Sequence, residues 1–164
     1  MYKDYCKLQP TKGGMGLFTT VIIPAKTPII EVRGPVGSEK EMPDPNHPAL
    51  LQIGNDLFIG PSGDLDDYIN HSCNPNCYVH IAGNRAILFS LYVIPAGSEL
   101  TFDYSTTATD SLEKWKMNCL CGHATCRKVI SGFQHLDESV KQNLKDKNTI
   151  PLYILHPEMF PRKW

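Results

Sequence analysis

Apolar residues in this chain come in short runs, each closed by glycine, proline, asparagine or aspartate. That punctuation constrains the fold more than any other feature, because such runs suit strands crossing a packed sheet and are too short for most helices. Strands are expected at residues 17–21, 28–32, 50–53, 57–59, 77–81, 86–89 and 100–102. The 12 glycines and 13 prolines supply the turns between them. One segment reads differently. Over residues 136–145, Leu136, Val140 and Leu144 fall on one helical face, with Asp137 placed as an N-cap.

With 164 residues, 41% hydrophobic and 20% charged, the chain has material for one core and too little for two ordinary domains. Its formal net charge of −1 argues against gripping nucleic acid by bulk charge, since phosphate binding needs clustered lysine and arginine. No basic and apolar leader is visible at Met1-Tyr2-Lys3-Asp4, and no apolar run approaches the roughly 18 residues of a membrane helix. A soluble protein that is not exported and has no membrane partner is expected.

The 6 cysteines are unevenly spaced. Cys119, Cys121 and Cys126 bunch together, and a CxC pair cannot comfortably bridge to itself, so metal ligation is a better reading than disulfides. Three thiolates call for a fourth ligand to complete tetrahedral zinc. Cys73 and Cys77 compete for that place. Cys77 starts an expected strand and reads as a buried small hydrophobe, as does Cys6.

Several motifs occur in a fixed order. They are the Gly14-Met15-Gly16 turn, Ile30-Glu31-Val32-Arg33-Gly34, Asn70-His71-Ser72-Cys73, Glu99-Leu100-Thr101-Phe102-Asp103-Tyr104, and Cys119-Leu120-Cys121-Gly122 with Cys126-Arg127. Spread over residues 12–127, this set resembles the SET-domain protein-lysine methyltransferases with a post-SET zinc loop. The resemblance implies a mainly β fold of small sheets with a threaded pseudoknot, closed by the zinc loop and a C-terminal helix. Residues 1–115 would be the SET domain, 116–130 the post-SET loop and 131–164 a C-terminal helical extension.

The same resemblance implies S-adenosylmethionine and zinc as cofactors, with Cys73 as the fourth zinc ligand beside Cys119, Cys121 and Cys126. Gly14, Met15, Gly16, Tyr68, Asn70, His71, Tyr104 and Leu120 would contact the methyl donor. In that scheme the Asn70 amide bonds the donor's amino-acid end, His71 meets adenine through its backbone, and Leu120 packs on adenine. Tyr104 would be the catalytic tyrosine. Phe102 and Tyr78 would line the lysine channel, and a Phe rather than a Tyr at 102 leaves room for di- or trimethylation. Departures from the pattern are Val32-Arg33-Gly34-Pro35, which lacks an aromatic that can touch the cofactor, and Asp67-Tyr68 in place of an Arg-Phe pair.

Substrate charge is the last inference. No lysine or arginine occurs from Glu41 through Asn84, whereas Glu41, Asp44, Asp56, Asp64, Asp66 and Asp67 are all negative. A one-signed stretch favours a basic ligand such as a histone tail, which would place the enzyme in a nucleus, its own cell's or a host's. A solvated loop face is the plainer explanation. The alternatives for the whole chain are a methyltransferase for a ribosomal or cytosolic protein, and a SET-like module that binds peptide without turnover. Oligomeric state is not legible.

Overall fold

The computed structural model describes residues 1–45, 47–109 and 116–160. Short strands dominate. An antiparallel hairpin joins β1 (Cys6–Thr11) to β2 (Gly14–Thr19), with Cys6 opposite Thr19 and Thr11 opposite Gly14. A three-stranded sheet runs in the order β3 (Pro28–Val32), β9 (Arg85–Ser90), β8 (Cys77–Ala82). A second has β6 (Leu57–Ile59) between β4 (Val36–Gly37) and β5 (Leu51–Gly54).

Two further pairs matter for the site. β7 (Asn70–His71) lies parallel to β10 (Thr101–Phe102), and β11 (Lys116–Asn118) is antiparallel to β12 (Val129–Ser131). A parallel pair cannot be closed by a tight turn, and here the connection carries the whole β8–β9 hairpin. Two motifs far apart in sequence are thereby made neighbours, which is the arrangement expected from the pseudoknot.

Alternation builds the core. Along β8, Cys77 and Val79 are buried while Tyr78 faces away; Leu17, Ile23, Ile29, Leu88, Ile94 and Leu100 meet them from other elements. Burying each such aliphatic side chain stabilises by roughly 1.5–3 kcal/mol. The expected strands all have counterparts; 28–32 and 57–59 match to the residue, and the others have shifted ends. The one expected at 17–21 instead starts at Gly14 because β1 extends the pairing, and it stops where the Thr19 hydroxyl donates to the Val21 carbonyl at 2.7 Å. β1 itself gave little signal, since Pro10 interrupts it and its burial is partial.

After β12 the chain forms α1 (Glu138–Asp146) and α2 (Leu152–Leu155). Asp137 stands at the N-cap position in extended backbone, but its side chain makes no capping hydrogen bond. Packing holds the helix instead: Leu136 and Leu144 join Phe133 and Ile150 in a satellite cluster. The boundary expected between 115 and 116, and the tail from 161 to 164, adjoin or lie outside the described residues. No helix among the described residues is long and apolar enough to cross a membrane.

The acidic stretch is largely committed to local structure. Buried Asp66 accepts from the Arg33 amide at 2.9 Å and the Ser62 hydroxyl at 2.8 Å. Asp67 accepts from the amides of Ser62 and Gly63, Asp64 caps Leu65 and pairs with Lys3, and Glu41 closes a capping box with Ser38. Such carboxylates hold loops together while keeping their charge, and of the four Asp64 has a cation, Lys3, against it.

Candidate functional site

The site forms where β2, β7 and β10 meet. Residues 98–100 dock on β2, since Thr19 donates its amide to Ser98 and the Leu100 amide donates to Leu17. This sets the Glu99 side chain beside the glycine turn. Asn70 enters from β7, its amide nitrogen donating to the Met15 carbonyl at 3.1 Å and to Glu99 Oε1 at 2.8 Å. Gly16 lies under both. A Cβ there would overlap Glu99 and sit 2.7 Å from Thr11 and 2.8 Å from the Asn70 amide, so a larger residue would displace these side chains. Gly14 is required for another reason, its φ of +122°, and has open space around it.

Tyr104 follows β10 at the start of a 3-10 turn (Tyr104–Thr106). Its ring packs on Phe102 at a centroid distance of 4.8 Å and meets His71 edge-on at 5.4 Å. The hydroxyl donates to the Ile69 carbonyl at 2.8 Å. Burial, reinforced by the Glu99 carboxylate, pushes this phenol well above its ordinary pKa. It is therefore a neutral hydroxyl that can orient a ligand and a poor source of phenolate.

His71 and Asp103 form the layer behind. Burial brings the His71 pKa down to about 4 against the opposing pull of Asp103, so the ring is neutral near pH 7. Its Nδ1 accepts the Tyr104 amide proton at 3.1 Å, which leaves the proton on Nε2, directed at Cys73 Sγ 3.3 Å away. Arg127 supplies the counter-charge: Nη1 and Nη2 donate to the two oxygens of buried Asp103 at 2.8 and 2.6 Å.

Four thiols converge next to this layer. The sulfurs of Cys73, Cys119, Cys121 and Cys126 all lie within 4.8 Å of one another, and Cys73 and Cys119 are 3.6 Å apart. A tetrahedron with Zn–S bonds of about 2.3 Å has edges of roughly 3.8 Å, so the donor set fits zinc. Burial raises the Cys121 pKa, but amide hydrogen bonds involving Cys73 and His123 outweigh it and bring the thiol down to about 6. Cys77 is not in the cluster. It is buried in the main core with its thiol toward Asn76, at 3.3 Å, and burial pushes its pKa far up. Half-buried Cys6 rises to about 11 for the same reason.

The SET domain family matches residues 14–105, more than half of the chain and the span that holds the glycine turn, Asn70 and Tyr104. The chain belongs to the SET-domain family. Among similar proteins is the histone-lysine N-methyltransferase trr of Drosophila melanogaster, 36% identical over 132 residues, which are 72% of this chain and 5% of that protein. Among solved structures, KRYPTONITE in complex with mCHH DNA, an H3(1-15) peptide and SAH gives a TM-score of 0.62 and 25% identity over 77% of this chain and 29% of that one. SUVH6 of Arabidopsis thaliana in complex with SAM gives 0.65 and 26% over 77% of this chain and 33% of that one. The chain thus spans a small part of these relatives.

Within this SET domain the structure brings Met15, Gly16, Asn70, Phe102 and Tyr104 together and sets other expected residues apart. Tyr78 points away from the core side of β8; its ring packs on Phe89 at 5.7 Å and lies 5.2 Å from Lys26 Nζ, while Phe102 belongs to the core. The alternation of β8 is the physical reason, and it offers no support for Tyr78 as a partner of Phe102 in the channel. Leu120 and Tyr68 are exposed, presenting apolar surface to solvent. His71 was expected to meet the cofactor through its backbone, and its side chain links Cys73 to Tyr104. Sequence reasoning missed Glu99, Asp103 and Arg127, although all three stand inside the quoted motifs. Their signal was a charge within an otherwise apolar or thiol-rich motif.

Proposed function

We propose that this SET domain is an S-adenosylmethionine-dependent protein-lysine N-methyltransferase acting on a histone tail in the nucleus, able to add more than one methyl group. The observation that carries the reading is the parallel β7–β10 pair, which sets Asn70 and its Gly16 cradle beside Tyr104. When bound, the donor supplies a sulfonium-activated methyl group for in-line displacement by a neutral amine.

The chain's own residues supply binding, orientation and dryness. Gly16 lets Glu99, Thr11 and the Asn70 amide close in on the backbone, so that the Asn70 amide and the Met15 carbonyl face each other where the donor's polar end would bind. Phe102 and the Tyr104 ring give an apolar wall that favours the uncharged amine over ammonium. The Tyr104 hydroxyl orients the reactants at the point of transfer. Cys73, Cys119, Cys121 and Cys126 would hold zinc and fix the loop carrying Leu120 over the adenine side.

The names of the relatives support a histone substrate, and the H3(1-15) peptide in the KRYPTONITE complex supports a histone tail as the ligand. The test is incubation with radiolabelled S-adenosylmethionine and core histones beside a whole-cell extract, followed by mapping of labelled lysines. Label on histone lysines supports the proposal. Label confined to other proteins removes the histone assignment, and no label anywhere removes the activity.

A further inference from the structure

The segment after Tyr104 is tied to the far end of the chain. Thr107 returns to Tyr104, its amide donating to the Tyr104 carbonyl at 3.2 Å and its hydroxyl doing so at 3.3 Å. The Thr107 carbonyl in turn accepts from the hydroxyl of Tyr153 at 2.5 Å, and the same hydroxyl lies 3.0 Å from the Gln52 carbonyl of β5. Tyr153 is 3% exposed and sits on α2.

A phenol has one proton, so these two carbonyls share a single donor. Both are in a region where an unsatisfied carbonyl is costly. Gln52 closes the network: its Oε1 accepts the Thr109 amide at 2.9 Å, and its Nε2 donates to the carbonyl of Gly54 at 2.8 Å and to the Thr109 hydroxyl. Phe133 adds a backbone bond to Ala108 at 3.0 Å, and Asn55, beyond β5, donates to the carbonyls of Pro157 and Phe160. One hydroxyl therefore stands where β5, the Tyr104 turn and the C-terminal segment cross.

We infer that Tyr153 is a positioning residue for Tyr104, and that residues 133–160 belong to the working site as the splint that holds the 104–109 segment against β5. The path is short and physical: Tyr153 holds the Thr107 carbonyl, Thr107 holds Tyr104 by two bonds, and the Tyr104 ring is wedged between Phe102 and His71. A turn freed at Thr107 lets the Tyr104 hydroxyl drift from its place near Ile69. Displacements on that scale affect a reaction that depends on alignment far more than they affect donor binding at Asn70.

The effect on turnover rests on the methyltransferase reading; the effect on Tyr104 does not. The test is Tyr153→Phe in the full chain, which keeps the ring and its packing and deletes only the hydroxyl. Amide exchange at Thr107 and Thr109 is expected to rise about fivefold, the loss of one net hydrogen bond. The ring resonances of labelled Tyr104 should shift, and turnover at saturating donor and peptide should fall about threefold to tenfold with donor Kd unchanged. Ile81→Ala is the control, since it loosens the main core near the β8–β9 turn, outside residues 133–160 and away from these bonds: Tm falls, while Tyr104 resonances and turnover stay as in wild type. Unshifted Tyr104 resonances or unchanged exchange in Tyr153→Phe overturn the inference, as does an equal response in Ile81→Ala. A wild-type protein with no turnover on any substrate counts against the methyltransferase reading, and the resonance and exchange arms still decide this one.

Discussion

Arg127 grips Asp103 through both oxygens of a carboxylate that is 1% exposed, joining the residue after Cys126 to the residue before Tyr104. The amide of Arg127 also points at Cys73 Sγ, 3.4 Å away. The thiol cluster and the tyrosine turn thus share a buried ion pair, and disturbance at one is felt at the other. Removing one partner leaves an uncompensated buried charge. Arg127→Met should cost about 3–5 kcal/mol in chemical denaturation, and adding Asp103→Asn should recover a large part of it, because the orphaned charge is what destabilises. Additive losses in the double variant would show that the two residues act independently.

Zinc is the second expectation. Protein purified without chelator should carry one zinc per chain by elemental analysis, and chelation should lower Tm because metal binding is part of the folding free energy of such a loop. Cys73→Ser should lose metal. Cys77→Ala should keep it and pay only the cavity penalty of a core site. Full zinc in Cys73→Ser would remove that residue from the ligand set.

Gly16→Ala tests the cradle. The added methyl meets the Asn70 amide, Thr11 and Glu99, and a retreat of Asn70 or Glu99 breaks the bond between them. Calorimetry should show donor affinity down by at least about tenfold, with a stability loss of about 1–3 kcal/mol from overpacking. Unaltered affinity would place the donor's polar end elsewhere.

Much of this site was legible in the sequence because its residues lie in contiguous motifs, and the strands were legible because they alternate. Cys73 could be set above Cys77 by the strand pattern that buries Cys77. What the sequence hid is contact between segments. Nothing in Asp103 or Arg127 alone says that they meet, since their pairing follows from the β7–β10 crossing and the return of the chain at β12. The side of β8 on which Tyr78 stands, opposite Cys77 and Val79, was legible from the two-residue period of that strand. β11 and β12 are too short to produce a pattern, and β11 is exposed throughout; pairing with each other defines them.

Phe102 packs on Tyr104 and carries no hydroxyl of its own, so under the proposed reading the channel has one polar atom fewer to hold a water. Wild type should form di- or trimethyl-lysine on an accepted peptide. Phe102→Tyr should shift products to monomethyl-lysine, a change needing only about 1–3 kcal/mol of discrimination. Mass spectrometry of a long reaction reads both, and a wild type that stops at one methyl with donor in excess would contradict the argument.

The most direct measurement places the wild-type protein and Tyr104→Phe side by side with deuteriomethyl S-adenosylmethionine and core histones, and reads lysine mass shifts while donor binding is followed by calorimetry. Tyr104 keeps its ring packing in the variant and loses the bond to Ile69, worth about 1 kcal/mol, so the fold and donor binding should persist. The account predicts deuteriomethyl-lysine from wild type and at least about a hundredfold less from the variant, with donor Kd nearly equal. Donor binding by both proteins with no lysine labelled by either, or equal labelling by both, would contradict it.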